Sequence, residues 1–124
     1  MIFVFGSNEA GRHGRGAARD ALLQHGAKYG VGVGHVGNSY AIPTKDNFMN
    51  VLPIMNIRRY VNAFIDYAEQ NPKMVFQVTR VGTGLANIPE DVMASMFMHA
   101  PSNCKFDEKW KKYLPPSAKF WGTF

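Results

Sequence analysis

Apolar positions along the chain follow two periods, one of strands and one of helices. Ile2-Phe3-Val4-Phe5 is an unbroken apolar run ended by Gly6, the pattern of a buried strand. From Arg15 or Gly16 to His25, Ala17, Ala18, Ala21 and Leu22 recur at helical spacing, and Gly26 stands where a C′ glycine ends a helix. Ser39-Tyr40-Ala41-Ile42 reads as a second strand, closed by Pro43. The clearest helix runs from about Pro53 to Gln70: Ile54, Ile57, Val61, Phe64, Ile65 and Ala68 form one stripe, and Asn71-Pro72 stops it. Met74 to Thr79 is the strongest strand pattern. A helix is predicted from about Pro89 to His99, with Glu90 and Asp91 in its first turn and Val92, Met93, Met96 and Phe97 on its apolar face. Asn103 to Phe106 reads as a last short strand, after which Asp107 caps a short basic helix through Tyr113.

Strands alternating with helices predict an α/β fold, a parallel sheet with helices on its faces. Four strands make a small sheet, so further strands are expected between Lys28 and Gly37. No repeat and no linker composition divides the chain, and one domain over residues 1–124 is expected, with an aromatic and basic tail from about 105. In that tail Trp110, Tyr113, Phe120, Trp121 and Phe124 are expected to cover core or an oligomer interface rather than to stack bases.

Composition narrows the class. Hydrophobic residues are 46% and charged residues 19%, which excludes a disordered tail or a coiled coil. No apolar run approaches the ~20 residues that span a bilayer. The first residues lack a basic n-region and a cleavage site, so no secretion signal is expected. Cys104 is the one cysteine, which excludes an intrachain disulfide and a multi-cysteine zinc cluster, and a cytoplasmic protein is expected. The net charge of +5 favours anionic partners, whether nucleotide, nucleic acid or acidic protein.

Glycine is concentrated before residue 38 and again at 82–84. Two segments share the order strand, glycine loop, helix. One carries Gly6-Ser7-Asn8, then Gly11-Arg12-His13-Gly14-Arg15-Gly16; the other carries Gly82-Thr83-Gly84-Leu85-Ala86-Asn87. In a parallel sheet both loops leave the carboxyl edge, where open α/β folds bind ligands, and both lead to free N–H groups at a helix start. Two such loops facing one crevice can hold a pyrophosphate from both sides. The segment Thr44-Lys45-Asp46 ends a strand at the same edge; Lys45 can balance phosphate charge and Asp46 can orient water or a ribose hydroxyl, or close a local turn. His13 is the one histidine inside a candidate loop and a candidate acid/base. A Walker motif is absent, and Gly32-Val33-Gly34-His35-Val36-Gly37 matches G-x-G-x-x-G without opening a helix, so it predicts an extended loop beside the site. His13, His25, His35 and His99 have no metal-ligand spacing, and neither a metal nor a cofactor is expected.

These residues resemble the macro domain, an α/β/α module that binds ADP-ribose. Phe5-Gly6-Ser7-Asn8 with Gly11, Gly14 and Gly16 is similar to the family's "N-A-A-N" strand end and its glycine loop, which implies that Asn8 lies near the proximal ribose. Gly82 to Pro89 is similar to the family's "S-T-G-I-F-G-F-P" loop, which implies wrapping of the diphosphate and distal ribose, with Asn87 in place of its third glycine. The family usually opens with a further strand bearing an adenine-recognising Asp, whereas this chain starts at the Asn-bearing strand. The chain is also similar, from Ile2 to about Asn103, to a set of small phage-encoded non-structural proteins. They share "F-G-S-N-x-x-G-x-H-G-x-G-A-A", "G-N-S-Y-A-I-P-T-K-D" and "V-T-x-x-G-x-G-L-A". That similarity implies the host cytoplasm. The resemblance implies a three-layer α/β/α macro-like domain with a mostly parallel sheet, binding an ADP-ribose-related nucleotide through the two loops and sequestering or processing a nucleotide signal. Two alternatives stand beside it. One is an ADP-ribosyl hydrolase using Asn8, His13 and Asp46; the other is a basic nucleic-acid-binding or protein-interaction module using Arg12, Arg15, Arg19 and the Lys105–Lys112 run.

Overall fold

The computed structural model describes all 124 residues. Six strands form one sheet: β1 (Ile2–Asn8), β2 (Gly34–Val36), β3 (Ser39–Lys45), β4 (Phe76–Val78), β5 (Cys104–Asp107) and β6 (Lys119–Gly122), in the order β2-β3-β1-β4-β5-β6. Every neighbouring pair is parallel except β2 against β3. Helix α1 (Gly16–Gln24) lies between β1 and β2, which turns back into β3; α2 (Ile54–Gln70) joins β3 to β4, and α3 (Glu90–Ser95) lies between β4 and β5.

This order places the binding edge. From β1 the chain steps to β3 on one side, then returns past β1 to β4 on the other. Successive connections that leave in opposite directions open a crevice at the carboxyl ends of the two strands between them, β1 and β4. Alternation along β1 serves both layers. Phe3 and Phe5 pack with Ala18, Ala21, Ala27 and Ala41 on the α1 face. Val4 joins Ile42, Phe64 and Phe76 in the larger core under α2 and α3. Burying a ring as fully as Phe64 contributes ~2–3 kcal/mol.

Several boundaries differ from the sequence pattern, each for a local reason. β1 continues past Gly6 to Asn8, because β3 continues past Pro43 to Lys45 and offers it a partner. Proline has no N–H to donate, and the ladder shifts register between Ser7 and Asn8 opposite Pro43 and Lys45 instead of ending. β4 is shorter than Met74–Thr79, since Met74 is drawn into a turn by its N–H bond to the Asn71 carbonyl. α3 ends at Ser95; Met96 and Phe97 continue in tighter three-residue turns and stay buried. Pro89 precedes α3 as its N-cap rather than occupying its first position. Gly26 takes φ +76 after α1, the left-handed stop that the pattern predicts.

The extra strand expected between Lys28 and Gly37 is β2. The strand β6 falls in the aromatic tail, where no strand pattern is visible. The tail covers the sheet: Trp110 is fully buried, the Trp121 indole donates to the Val78 carbonyl at 3.0 Å, and the Phe124 ring lies 5.9 Å from that of Phe3. Asp107 caps the 3₁₀ helix Glu108–Tyr113 by accepting from the Lys109 N–H at 2.9 Å. No helix is long and apolar enough to cross a membrane.

Candidate functional site

A cavity of about 580 Å³ opens at the β1/β4 switch point, within the range of small-molecule sites. Its floor is the end of β1, Gly6-Ser7-Asn8, with Thr44 and Lys45 of β3 beside it. Arg12, Gly14 and Gly16 enter from the first loop, and Gly82, Thr83, Gly84, Leu85 and Ala86 from the second. The two loops meet because Gly6 has no side chain: a Cβ there would stand 3.1 Å from the Gly82 nitrogen.

Four residues predicted for the site lie outside this lining, each with another task. His13 is 1% exposed; its Nε2 lies 3.0 Å from the Val31 carbonyl and its ring meets Phe5 edge-on at 5.4 Å. It pins the first loop to the segment before β2, which corrects the expectation of an acid/base facing a ligand. Asp46 accepts from the Phe48 and Asn50 N–H groups at 2.8 and 3.0 Å, so its carboxylate closes a turn. Gly11 packs on Gly30 and Val31, where a Cβ would collide with backbone. Asn87 turns the second loop at φ +54, a conformation that asparagine tolerates better than most residues.

Asn8 lines the floor, yet both ends of its amide hold the first loop. Its oxygen accepts from the Arg12 N–H and its Nδ2 donates to the Arg12 carbonyl, each at 2.9 Å. The other buried polar groups of the floor are anchored in the same way. Ser7 donates to the Gly32 carbonyl, Thr44 to the Ser7 carbonyl at 3.3 Å and Thr79 to the Val4 carbonyl at 2.7 Å. In the G-x-G-x-x-G segment, Gly32 is a glycine because a Cβ would strike the Asn8 carbonyl.

What remains free is a set of donors. The N–H groups of Gly82, Gly84, Leu85 and Ala86 donate to no protein carbonyl, and the first turn of α1 is open in the same way. Arg12, Arg15 and Lys45 form no ion pair, and no Asp or Glu lines the cavity. Glu9, next after β1, accepts from the Tyr60 hydroxyl at 2.5 Å; that bond, with burial and the carboxylate's charge, holds the phenol above its ordinary pKa. The second loop leads to a helix start that is acidic and lies outside the cavity lining. Glu90 and Asp91 fill the first turn of α3, and Glu90 holds Arg80 at 2.6 Å and the Trp110 indole at 2.6 Å.

The sequence reading missed Arg15, Thr79, Arg80, Ala17 and Ala18 at the cavity, and also Met49 and Phe124. Arg80 and Arg15 adjoin the two glycine loops and were legible by position. Phe124 is brought to the site by β6, for which the sequence offers no signal.

No protein-family model and no curated protein matches the chain. A solved structure of Thermosipho africanus DarTG in complex with ADP-ribose superposes on 98% of the chain with a TM-score of 0.58 and 15% identity. The fold is macro-like. This chain spans 40% of the length of that one, so the likeness concerns part of the other protein. The macro-like frame agrees with the three layers and the mostly parallel sheet described above.

Proposed function

We propose that the protein binds an ADP-ribose-related nucleotide in the crevice between the two glycine loops. The single observation that carries this reading is the excess of donors and cations at the cavity: free loop N–H groups with Arg12, Arg15 and Lys45, and no Asp or Glu side chain. A diphosphate supplies acceptor oxygens and negative charge, the complement of such a lining. The likeness to a fold solved with ADP-ribose supports the same ligand class.

The binding reading is favoured over hydrolysis because His13 and Asp46 are turned to structural tasks and the cavity presents no carboxylate or imidazole to move a proton. The biological counterpart is sequestration of a nucleotide signal, in the host cytoplasm for a phage-encoded protein.

A thermal-shift panel of ADP-ribose, cyclic ADP-ribose, NAD, AMP and a short oligonucleotide tests this. A ligand at 100-fold its Kd adds ~2.7 kcal/mol of stability. Stabilisation by ADP-ribose and not by the oligonucleotide is expected. Salt-sensitive stabilisation by the oligonucleotide alone would replace this reading with the nucleic-acid one. Release of ADP-ribose from ADP-ribosylated protein by the wild type, followed by mass spectrometry, would establish a hydrolase instead.

A further inference from the structure

We infer that Met49 is a ligand-binding residue outside both glycine loops: the turn after β3 holds it in a left-handed conformation, so that its thioether forms an apolar wall of the cavity against an uncharged part of the nucleotide. This deepens the nucleotide reading above and rests on it.

Met49 has φ +66, in the region where an L side chain crowds its own backbone. Glycine takes that conformation freely, and asparagine takes it more readily than most residues. Asn87 meets the same demand in the second loop at φ +54, and Asn47 and Asn50 stand close by in the turn itself. At position 49 the chain instead keeps a long apolar side chain where the backbone disfavours it. Such strain persists only where the surroundings hold it, and it clusters at ligand sites.

The turn is secured by other groups. The Asp46 N–H donates to the Asn50 carbonyl at 2.8 Å, and the Met49 N–H donates to the Asp46 carbonyl at 3.2 Å. The Asp46 carboxylate accepts from Phe48 and Asn50, Lys45 bridges to Val51, and the Leu52 N–H donates to the Thr44 carbonyl at 2.9 Å. These bonds fix where residue 49 stands and use only its backbone. Met49 packs in neither core cluster; it is 39% exposed and lines the cavity beside Thr44 and Lys45.

A thioether carries no charge and donates no hydrogen bond, so it adds nothing to the hold on a diphosphate. It offers contact area and an adaptable, polarizable surface, which suit the carbon body of a sugar or base. Because β3 and β4 flank β1 on opposite sides, Met49 reaches the cavity from the side opposite the second loop.

The test is calorimetric titration of the full chain with ADP-ribose at low and high salt, with thermal unfolding of each variant. Met49→Gly is expected to melt at the wild-type temperature or up to about 5 °C above it, because the strain is relieved. The same variant is expected to bind ADP-ribose roughly 5- to 30-fold more weakly, for the loss of one apolar contact. Met49→Ala truncates the side chain without glycine's added backbone freedom and is expected to lose as much affinity. Met49→Leu, of similar volume, is expected to stay within about threefold of the wild type. No charge is removed, so the salt dependence is expected to be unchanged in all three. Wild-type affinity in Met49→Gly or Met49→Ala overturns this inference and leaves the nucleotide reading standing. So does a Met49→Gly melting temperature lower by more than about 5 °C, since the side chain would then support the fold. A changed salt dependence, or a Met49→Leu variant as weak as Met49→Ala, overturns it too. Absence of ADP-ribose binding to the wild type overturns both.

Discussion

The side chain of Asn8 closes on the backbone of Arg12 at both ends, accepting from its N–H and donating to its carbonyl at 2.9 Å. The end of β1 thereby shapes the first glycine loop from within. Asn8 is a positioning residue whose truncation acts on stability and binding together. Asn8→Ala is expected to cost ~1–2 kcal/mol of stability, since two backbone groups of Arg12 lose their partner. It is also expected to weaken ADP-ribose binding by at least tenfold. Urea unfolding and calorimetry on one preparation check both; lost affinity with unchanged stability would mean that Asn8 acts on the ligand alone.

Gly84 lies in the second loop with no protein atom within 4 Å of where a Cβ would stand, and its φ is not positive. Gly84→Val is therefore expected to leave the melting temperature nearly unchanged and to abolish nucleotide binding. A folded Gly84→Val protein with wild-type affinity would remove this loop from the site.

Arg12, Arg15 and Lys45 form no ion pair, so their removal leaves no stranded carboxylate. Each change to Gln is expected to alter stability by less than about 0.5 kcal/mol, as surface substitutions do. Each is expected to weaken diphosphate binding by ~10-fold or more, with a shallower salt dependence. Titrations at low and high salt measure both effects.

Cys104 is 2% exposed, and burial, with the charge of Glu69 nearby, pushes its thiol up to about 12 from an ordinary value of 9.0. Above pH 9 the unfolded chain loses this proton and the folded chain keeps it. The contribution is thus complete below pH 9 and is lost as pH rises from 9 toward 12, at about 1.4 kcal/mol per pH unit at most. Urea unfolding at pH 8 and pH 10 should show the fall, and Cys104→Val should reduce it.

Much of this was legible from residues 2 to 106. The apolar stripe of α2 from Ile57 to Ala68 and the glycines flanking Asn8 carry their structural consequences locally, in period and in punctuation. What escaped depends on distant partners. β1 passes through Gly6 because β3 pairs with it beyond Pro43, and His13 faces inward because Val31 and Phe5 meet it. The strand β6 forms from Lys119-Phe120-Trp121-Gly122, which carries no alternation, because β5 offers an open parallel edge. Tertiary pairing decided those places, and local pattern does not encode it.

The most direct measurement is an ¹H–¹⁵N correlation spectrum of the labelled protein titrated with ADP-ribose. The free amides of Gly14 to Ala18 and of Gly82, Gly84, Leu85 and Ala86 are expected to shift first and furthest, because they are the donors that a diphosphate meets. Spectra unmoved at millimolar ADP-ribose, or shifts confined to the Lys105–Lys112 face, would contradict the account.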